Sequence, residues 1–145
     1  MAHEITEFYH SATAERLGID NTPDEETLDN LKSTFTICIA PTEENFGARA
    51  NIINGYRCAE LNKKVGGVAN SQHLDGLAFD TTFAGVDNRT AFDWMRGETD
   101  GKFNINFDQL ILEPTWIHVS QKASGNRREV LIAEKINGKM TYRKA

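Results

Sequence analysis

The chain has little that would staple, stiffen or anchor it. Its two cysteines, Cys38 and Cys58, stand far apart and form no C-x-x-C pair. We read both as reduced thiols in or near the core, with no disulfide or ligand role. Three prolines in 145 residues leave most of the backbone free to enter helices and strands. No apolar run approaches the length needed to span a bilayer. The opening residues, Met1-Ala2-His3-Glu4-Ile5-Thr6-Glu7, lack a basic segment followed by an apolar one, so no signal peptide is expected. Excess positive charge is missing too. A net charge of -5 and a pI of about 5.4 exclude nucleic acid as a principal partner, because phosphate neutralisation needs a clustered basic surface. The basic pair at the end, Arg143 and Lys144, reads as a solvated tail.

What is present is an ordinary globular balance, 39% hydrophobic and 26% charged. The length suits one domain, residues 1–145, with one core. We found no internal repeat, low-complexity stretch or linker, and we expect a monomer.

Local patterning predicts helices first and strands later. Ile5 to Leu17 reads as one or two short helical turns ending at Gly18, with Phe8, Ala12 and Leu17 as docking residues. His3 and His10 fall here without other donors in sequence, and both read as exposed. Thr22 is placed to cap a helix with Pro23 in its first position and Glu25 completing a capping box. Leu28, Leu31, Phe35 and Cys38 continue it at helical spacing until Pro41 interrupts, with a further turn to Phe46 and a stop at Gly47. Ala50–Asn54 reads as a strand turned by Gly55, Cys58–Val65 as a short helix, Leu77–Thr82 as a strand and Asn88–Arg96 as a helix with Phe92, Met95 and Trp94 inward. Glu98 to Asp108 is polar, but its oxygen donors do not follow an EF-hand, so we read a solvated loop in preference to a calcium site. Gln109–Glu113 and Trp116–Ser120 read as strands around Pro114-Thr115. Glu129–Ile136 and Lys139–Tyr142 read as a hairpin on the favoured Asn137-Gly138 turn. The class is α+β: a small, mostly antiparallel sheet flanked by N-terminal helices.

Chemistry concentrates in Ser71-Gln72-His73-Leu74-Asp75-Gly76-Leu77-Ala78-Phe79-Asp80. His73 is a neutral nitrogen donor and Asp80 a hard anionic one, the mixture that zinc or a similar divalent ion takes from protein. His118, in Trp116-Ile117-His118, offers a third donor. Three protein ligands with an open position are the catalytic pattern of a zinc site. Singly, each residue also has an ordinary reading: His73 as a loop or core histidine, Asp80 as a cap or turn residue, His118 as part of an aromatic cluster with Trp116. Asp75 reads as a loop residue in preference to a partner of a ligand imidazole.

Pairing the two central strands as a tight hairpin sets Ile111 opposite His118 and Glu113 opposite Trp116. Alternation then puts Leu110, Leu112, Ile117 and Val119 on one face, and Ile111, Glu113, Trp116, His118 and Ser120 on the other. Glu113 and His118 become diagonal neighbours about 7–8 Å apart at the backbone. A proline in the first turn position does not suit type I′ or II′ turns, so a longer loop and a shifted register are open. Glu113 is placed to accept a proton from water and pass it to a leaving amine. Arg57 offers a fixed positive charge to a carboxylate or a developing oxyanion.

Asn54-Gly55-Tyr56-Arg57, Glu60-Leu61-Asn62, Gly66-Gly67, the S-x-H-x-x-G-x-A-x-D run from Ser71 to Asp80, and Trp116-Ile117-His118-Val119-Ser120 together resemble the D-alanyl-D-alanine carboxypeptidase family of zinc peptidases. Ser11 to Ala14 and Gly18 to Pro23 also resemble the N-terminal part of its short, phage-type members, which include L-alanyl-D-glutamate endopeptidases. Lysostaphin-like enzymes and the hedgehog signalling domain belong to the same superfamily. The resemblance implies zinc held by His73, Asp80 and His118, with Arg57 contacting substrate and Ser71, Gln72 and Trp116 shaping the site. It implies hydrolysis of a peptidoglycan stem-peptide bond by a lytic enzyme made in a host cytoplasm and acting on the wall after release or within a virion. Many members place the catalytic acid three residues before the last histidine, where this chain has Thr115. Glu113 lies five before it and is favoured by the strand faces. Two other readings stay open at this point: a zinc-bearing binding or virion protein without turnover, and a cytoplasmic D-Ala-D-Ala dipeptidase.

Overall fold

A computed structural model of the chain describes residues 2–145. A six-stranded sheet runs in the order β1 (Ala50–Asn54), β2 (Ala78–Phe83), β6 (Ile117–Ser120), β5 (Gln109–Leu112), β7 (Glu129–Ile136), β8 (Lys139–Lys144). All neighbours are antiparallel except β5 and β7. The helices are α1 (Ala12–Leu17), α2 (Glu25–Thr34), α3 (Ala40–Phe46), α4 (Ala59–Lys64) and α5 (Asn88–Met95), with a two-stranded ribbon of β3 (Glu98–Thr99) and β4 (Lys102–Phe103). This is the expected α+β arrangement. One sheet face, carrying Phe79, Leu110, Ile117 and Val119, is buried in a core shared with Leu31, Cys38, Ile39, Phe92 and Met95. The opposite face carries Asp80 and His118 beside Ile111 and Leu131.

The central hairpin keeps the expected register, with Ile111 opposite His118. Its ladder stops one residue early on each side, at Leu112 and Ile117, leaving Glu113–Trp116 as the connection with a Glu113 N–H bond to the Trp116 carbonyl at 3.0 Å. The wider turn accommodates Pro114 without a slip. At the C-terminal hairpin, Asn137 and Gly138 both adopt positive φ, 51° and 79°, as a type I′ turn requires.

Several local expectations are corrected. The cap of α2 is Asp24, whose Oδ1 accepts from Thr27 N–H at 2.8 Å. Thr22 is instead bonded through its own N–H to Asp20, and a carboxylate at this end is also favoured by the helix dipole. Pro41 does not break the helix. A π-turn over Phe35–Ile39 joins α2 to α3; the widened turn relieves the clash of a proline ring with the carbonyl four residues back. Ala14 and Ile19 dock α1, whereas Ala12 and Leu17 are exposed. In the stretch read as a solvated loop, Ile105, Phe107 and Asp108 are buried, and Arg128 stacks over Phe103 and Phe107 at 3.5 and 4.2 Å. Arg143 and Lys144 belong to β8, although their side chains are exposed. His3 is buried between Glu7 and Glu43, while His10 is exposed near Glu15. Both cysteines are free, and burial pushes the Cys38 thiol up to about 12.

Candidate metal centre and cleft

Strand register builds the site. Asn54, Asp80, His118, Ile111 and Leu131 are successive partners across β1, β2, β6, β5 and β7. Residues in one such row point to the same face, here the one away from the helices. Asp80 and His118 are therefore direct neighbours, with His118 Nδ1 3.0 Å from Asp80 Oδ1.

His73 arrives from a 3-10 turn, Gln72–Asp75, lying between α4 and β2. Ser71 Oγ accepts from His73 N–H at 3.2 Å to start the turn, and Gly76 ends it in the left-handed conformation, φ 71°. A side chain at Gly76 would also meet the Thr27 carbonyl at 2.6 Å. Gly55 fixes the ring. Its carbonyl accepts from His73 Nδ1 at 2.7 Å, which leaves Nε2 as the lone-pair nitrogen. Its missing Cβ admits the Phe8 carbonyl, which would lie 2.0 Å from one.

His73 Nε2 stands 3.3 Å from Asp80 Oδ2, and one ligand atom from each of His73, Asp80 and His118 lies within 4.8 Å of the others. Donors about 2.0–2.1 Å from a tetrahedral cation are themselves about 3.3 Å apart. Two imidazoles and a carboxylate at these separations fit a zinc-type divalent ion. The outer contacts fit as well: Gly55 O orients one imidazole, and Asn54 Nδ2 donates to Asp80 Oδ2 at 3.2 Å. Burial alone would raise the Asp80 pKa. Hydrogen bonds and charge from His118 and His73 outweigh it and hold the carboxyl far below its usual range.

These three groups line a cleft of about 430 Å³ together with Arg57, Glu113 and Trp116. Ile111, Leu131 and Tyr142 form its apolar side. Glu113 Oε2 accepts from the Tyr142 hydroxyl at 3.3 Å, while Oε1 is buried with no hydrogen-bond partner among the described residues. Burial raises the Glu113 pKa, partly offset by Tyr142 and His118. Arg57 Nη2 donates to Ser71 Oγ at 3.4 Å, and its Nε is likewise buried and unpaired among the described residues. Burial lowers the Arg57 pKa and the Asp80 charge partly restores it.

Of the residues singled out from sequence, Gln72 does not line this cleft. It donates to Asp108 Oδ2 at 3.2 Å and lines an adjoining polar depression with Lys122 and Arg127. Two oxygen donors of the 98–108 stretch are engaged with protein: Asp108 accepts from Arg127, and Asn104 bonds Thr99 and the Trp94 carbonyl. The Asp75 carbonyl accepts from Asn30, and the partner of the His73 ring is Gly55. Thr115 is exposed in the turn. Sequence reading missed Asn54 as the partner of Asp80, and Tyr142. The Asn-Gly turn fixes where Tyr142 sits on its hairpin, but no local signal announces the parallel pairing that carries the hairpin to the cleft.

No curated protein matches the chain at a significant level. A family model described as Peptidase M15 matches residues 2–120, a span that contains every residue of the cluster together with Arg57, Glu113 and Trp116. By that match, the chain belongs to the peptidase M15 family.

Proposed function

We propose that this chain is a zinc peptidase that hydrolyses an amide bond of peptidoglycan stem peptides, of the D-Ala-D-Ala carboxypeptidase or L-Ala-D-Glu endopeptidase type, serving as a phage cell-wall lytic enzyme. The observation that carries the reading is the meeting of His73, Asp80 and His118 in a cleft that Glu113 and Arg57 also line. The substrate class and the phage setting follow from the likeness to short, phage-type relatives.

His73, Asp80 and His118 would hold a divalent cation, which would supply Lewis acidity to a water and to the scissile carbonyl. The Glu113 carboxylate, which lines the cleft, takes the water's proton and delivers it to the leaving amine nitrogen. Burial raises its pKa, which makes the carboxylate a stronger base than an exposed one. Arg57 remains charged, and its Nε–H, without a partner among the described residues, serves the developing oxyanion or a substrate carboxylate. Trp116, Ile111 and Leu131 give the flanking peptide an apolar wall.

The test combines metal analysis of protein purified without added metal with mass spectrometry of digested peptidoglycan. One zinc per chain and new amino termini are expected. Bound zinc with no termini released overturns hydrolysis and favours a binding domain. Turnover of free D-Ala-D-Ala with none of intact wall favours a dipeptidase.

A further inference from the structure

The β7–β8 hairpin lies beyond residues 2–120, yet it forms one side of the cleft. Tyr142 on β8 stands opposite Ala133 on β7. Leu131, two residues before Ala133, stands opposite Ile111, two residues before Glu113. Tyr142, Ala133 and Glu113 therefore follow one row on the face that carries Asp80 and His118. Strands are spaced about 4.8 Å apart, so the outer two residues are roughly 10 Å apart at the backbone with Ala133 between them. A single methyl in the middle leaves room for the phenol ring to lean across, and its hydroxyl reaches Glu113 Oε2 at 3.3 Å. A slip of one residue in the hairpin would turn Tyr142 to the other face; the Asn137-Gly138 turn prevents it.

We propose that Tyr142 is a positioning residue for Glu113: its hydroxyl holds Oε2 and so fixes the orientation of the carboxylate beside the cleft. This inference rests on the peptidase reading above. The two carboxylate oxygens are unequal, one bonded and one buried without a partner among the described residues, and Tyr142 creates the inequality. Burial, then the Glu113 charge, raises the Tyr142 pKa, so the phenol stays a donor through the neutral range. The other titratable groups at the cleft are His118 from β6, Asp80 from β2, His73 from the 3-10 turn and Arg57 after β1, and all of them remain in a Tyr142 variant.

The experiment compares wild type, Tyr142→Phe and Tyr142→Ala as zinc-loaded full chains. Zinc content and melting temperature serve as controls. Tyr142→Phe is expected to lower kcat about 3–10-fold with KM nearly constant. Its acid limb of kcat/KM should move to higher pH, because the lost hydrogen bond favoured the charged carboxylate. Carbon-13 NMR of the Glu113 carboxyl should show the same direction without needing turnover. If Tyr142→Phe matches wild type in rate and pH profile while Tyr142→Ala is impaired, the ring is only a wall and the proposal falls. If wild type does not cut peptidoglycan, the peptidase reading fails, and the Glu113 titration still decides: identical curves in wild type and Tyr142→Phe overturn the positioning role.

Discussion

On the open face of the sheet, His73 and His118 converge on a single acid, Asp80; near the N-terminus, a single histidine, His3, lies between two acids, Glu7 and Glu43. Both clusters are largely buried and use the same residue types. At His3, both ring nitrogens face carboxylates, at 3.2 and 2.6 Å. Glu43 also accepts from Ala50 N–H, and Glu7 from Arg49 and Glu4 N–H. Both ring nitrogens, both Glu7 oxygens and Glu43 Oε2 are engaged within the protein, and the result is a tether between the N-terminal turn, α3 and β1. At His73, one nitrogen is fixed by a backbone carbonyl and the other converges with His118 on the acid, beside a cleft. The two clusters differ in what is left over. A histidine–carboxylate group can serve as a ligand set when its outward bonds orient the rings and leave the inward lone pairs unspent.

The sharpest break between the clusters comes from His118→Ala. Zinc retention after dialysis should fall by more than about 100-fold in affinity, and peptidoglycan hydrolysis should vanish with it. A variant that keeps one zinc per chain would remove His118 from the ligand set. Glu113→Gln separates ligation from proton transfer. The zinc should stay while hydrolysis drops about 10²–10⁴-fold, measured on wall fragments by the release of amino termini. Undiminished release would refute the role of Glu113.

Glu43→Gln sharpens the other side of the comparison. The amide oxygen can still accept from Ala50 N–H, but the bond with His3 loses its charge. We expect a loss of about 1–3 kcal/mol in unfolding free energy, read from the urea midpoint, with zinc content and kcat unchanged. A parallel fall in zinc binding would show that the two clusters are coupled.

How far these clusters could be read from sequence follows from the range of the contacts. The face that carries Glu113 and His118 is legible because strand alternation is local and Gln109–Ser120 alternates cleanly. His73 and Asp80 are legible as donor types in one short stretch. The Gly55–His73 bond, the His3–Glu43 pair and the reach of Tyr142 to Glu113 join residues far apart in the chain, and periodicity carries no information about them. The same limit hid Ile105 to Asp108. Their polar neighbours suggested solvent, whereas the Arg128 stack and the partners of Asp108 come from a loop some twenty residues later. The π-turn before Pro41 escaped for a different reason: its apolar spacing is still helical, and only the hydrogen-bond pattern changes.

Asp108 is the intermediate case, an acid buried like Asp80 but spent like Glu43. Burial would raise its pKa. Arg127 outweighs that with side-chain bonds at 3.1 and 2.8 Å and a backbone N–H bond at 2.9 Å, so the carboxyl is held below its usual range. A depressed folded-state pKa stabilises the fold above the unfolded carboxyl's value, about 3.9, and that contribution is lost as pH falls through the lower folded value. Asp108→Asn removes the charge. Because Arg127 is half exposed and can return to water, the expected loss is modest, about 1–2 kcal/mol at pH 7. The gap between wild type and variant, followed by urea denaturation, should shrink below about pH 4 as wild-type Asp108 itself protonates. A gap that stays constant down to pH 2 would mean that shape rather than charge holds the 121–128 loop against β5.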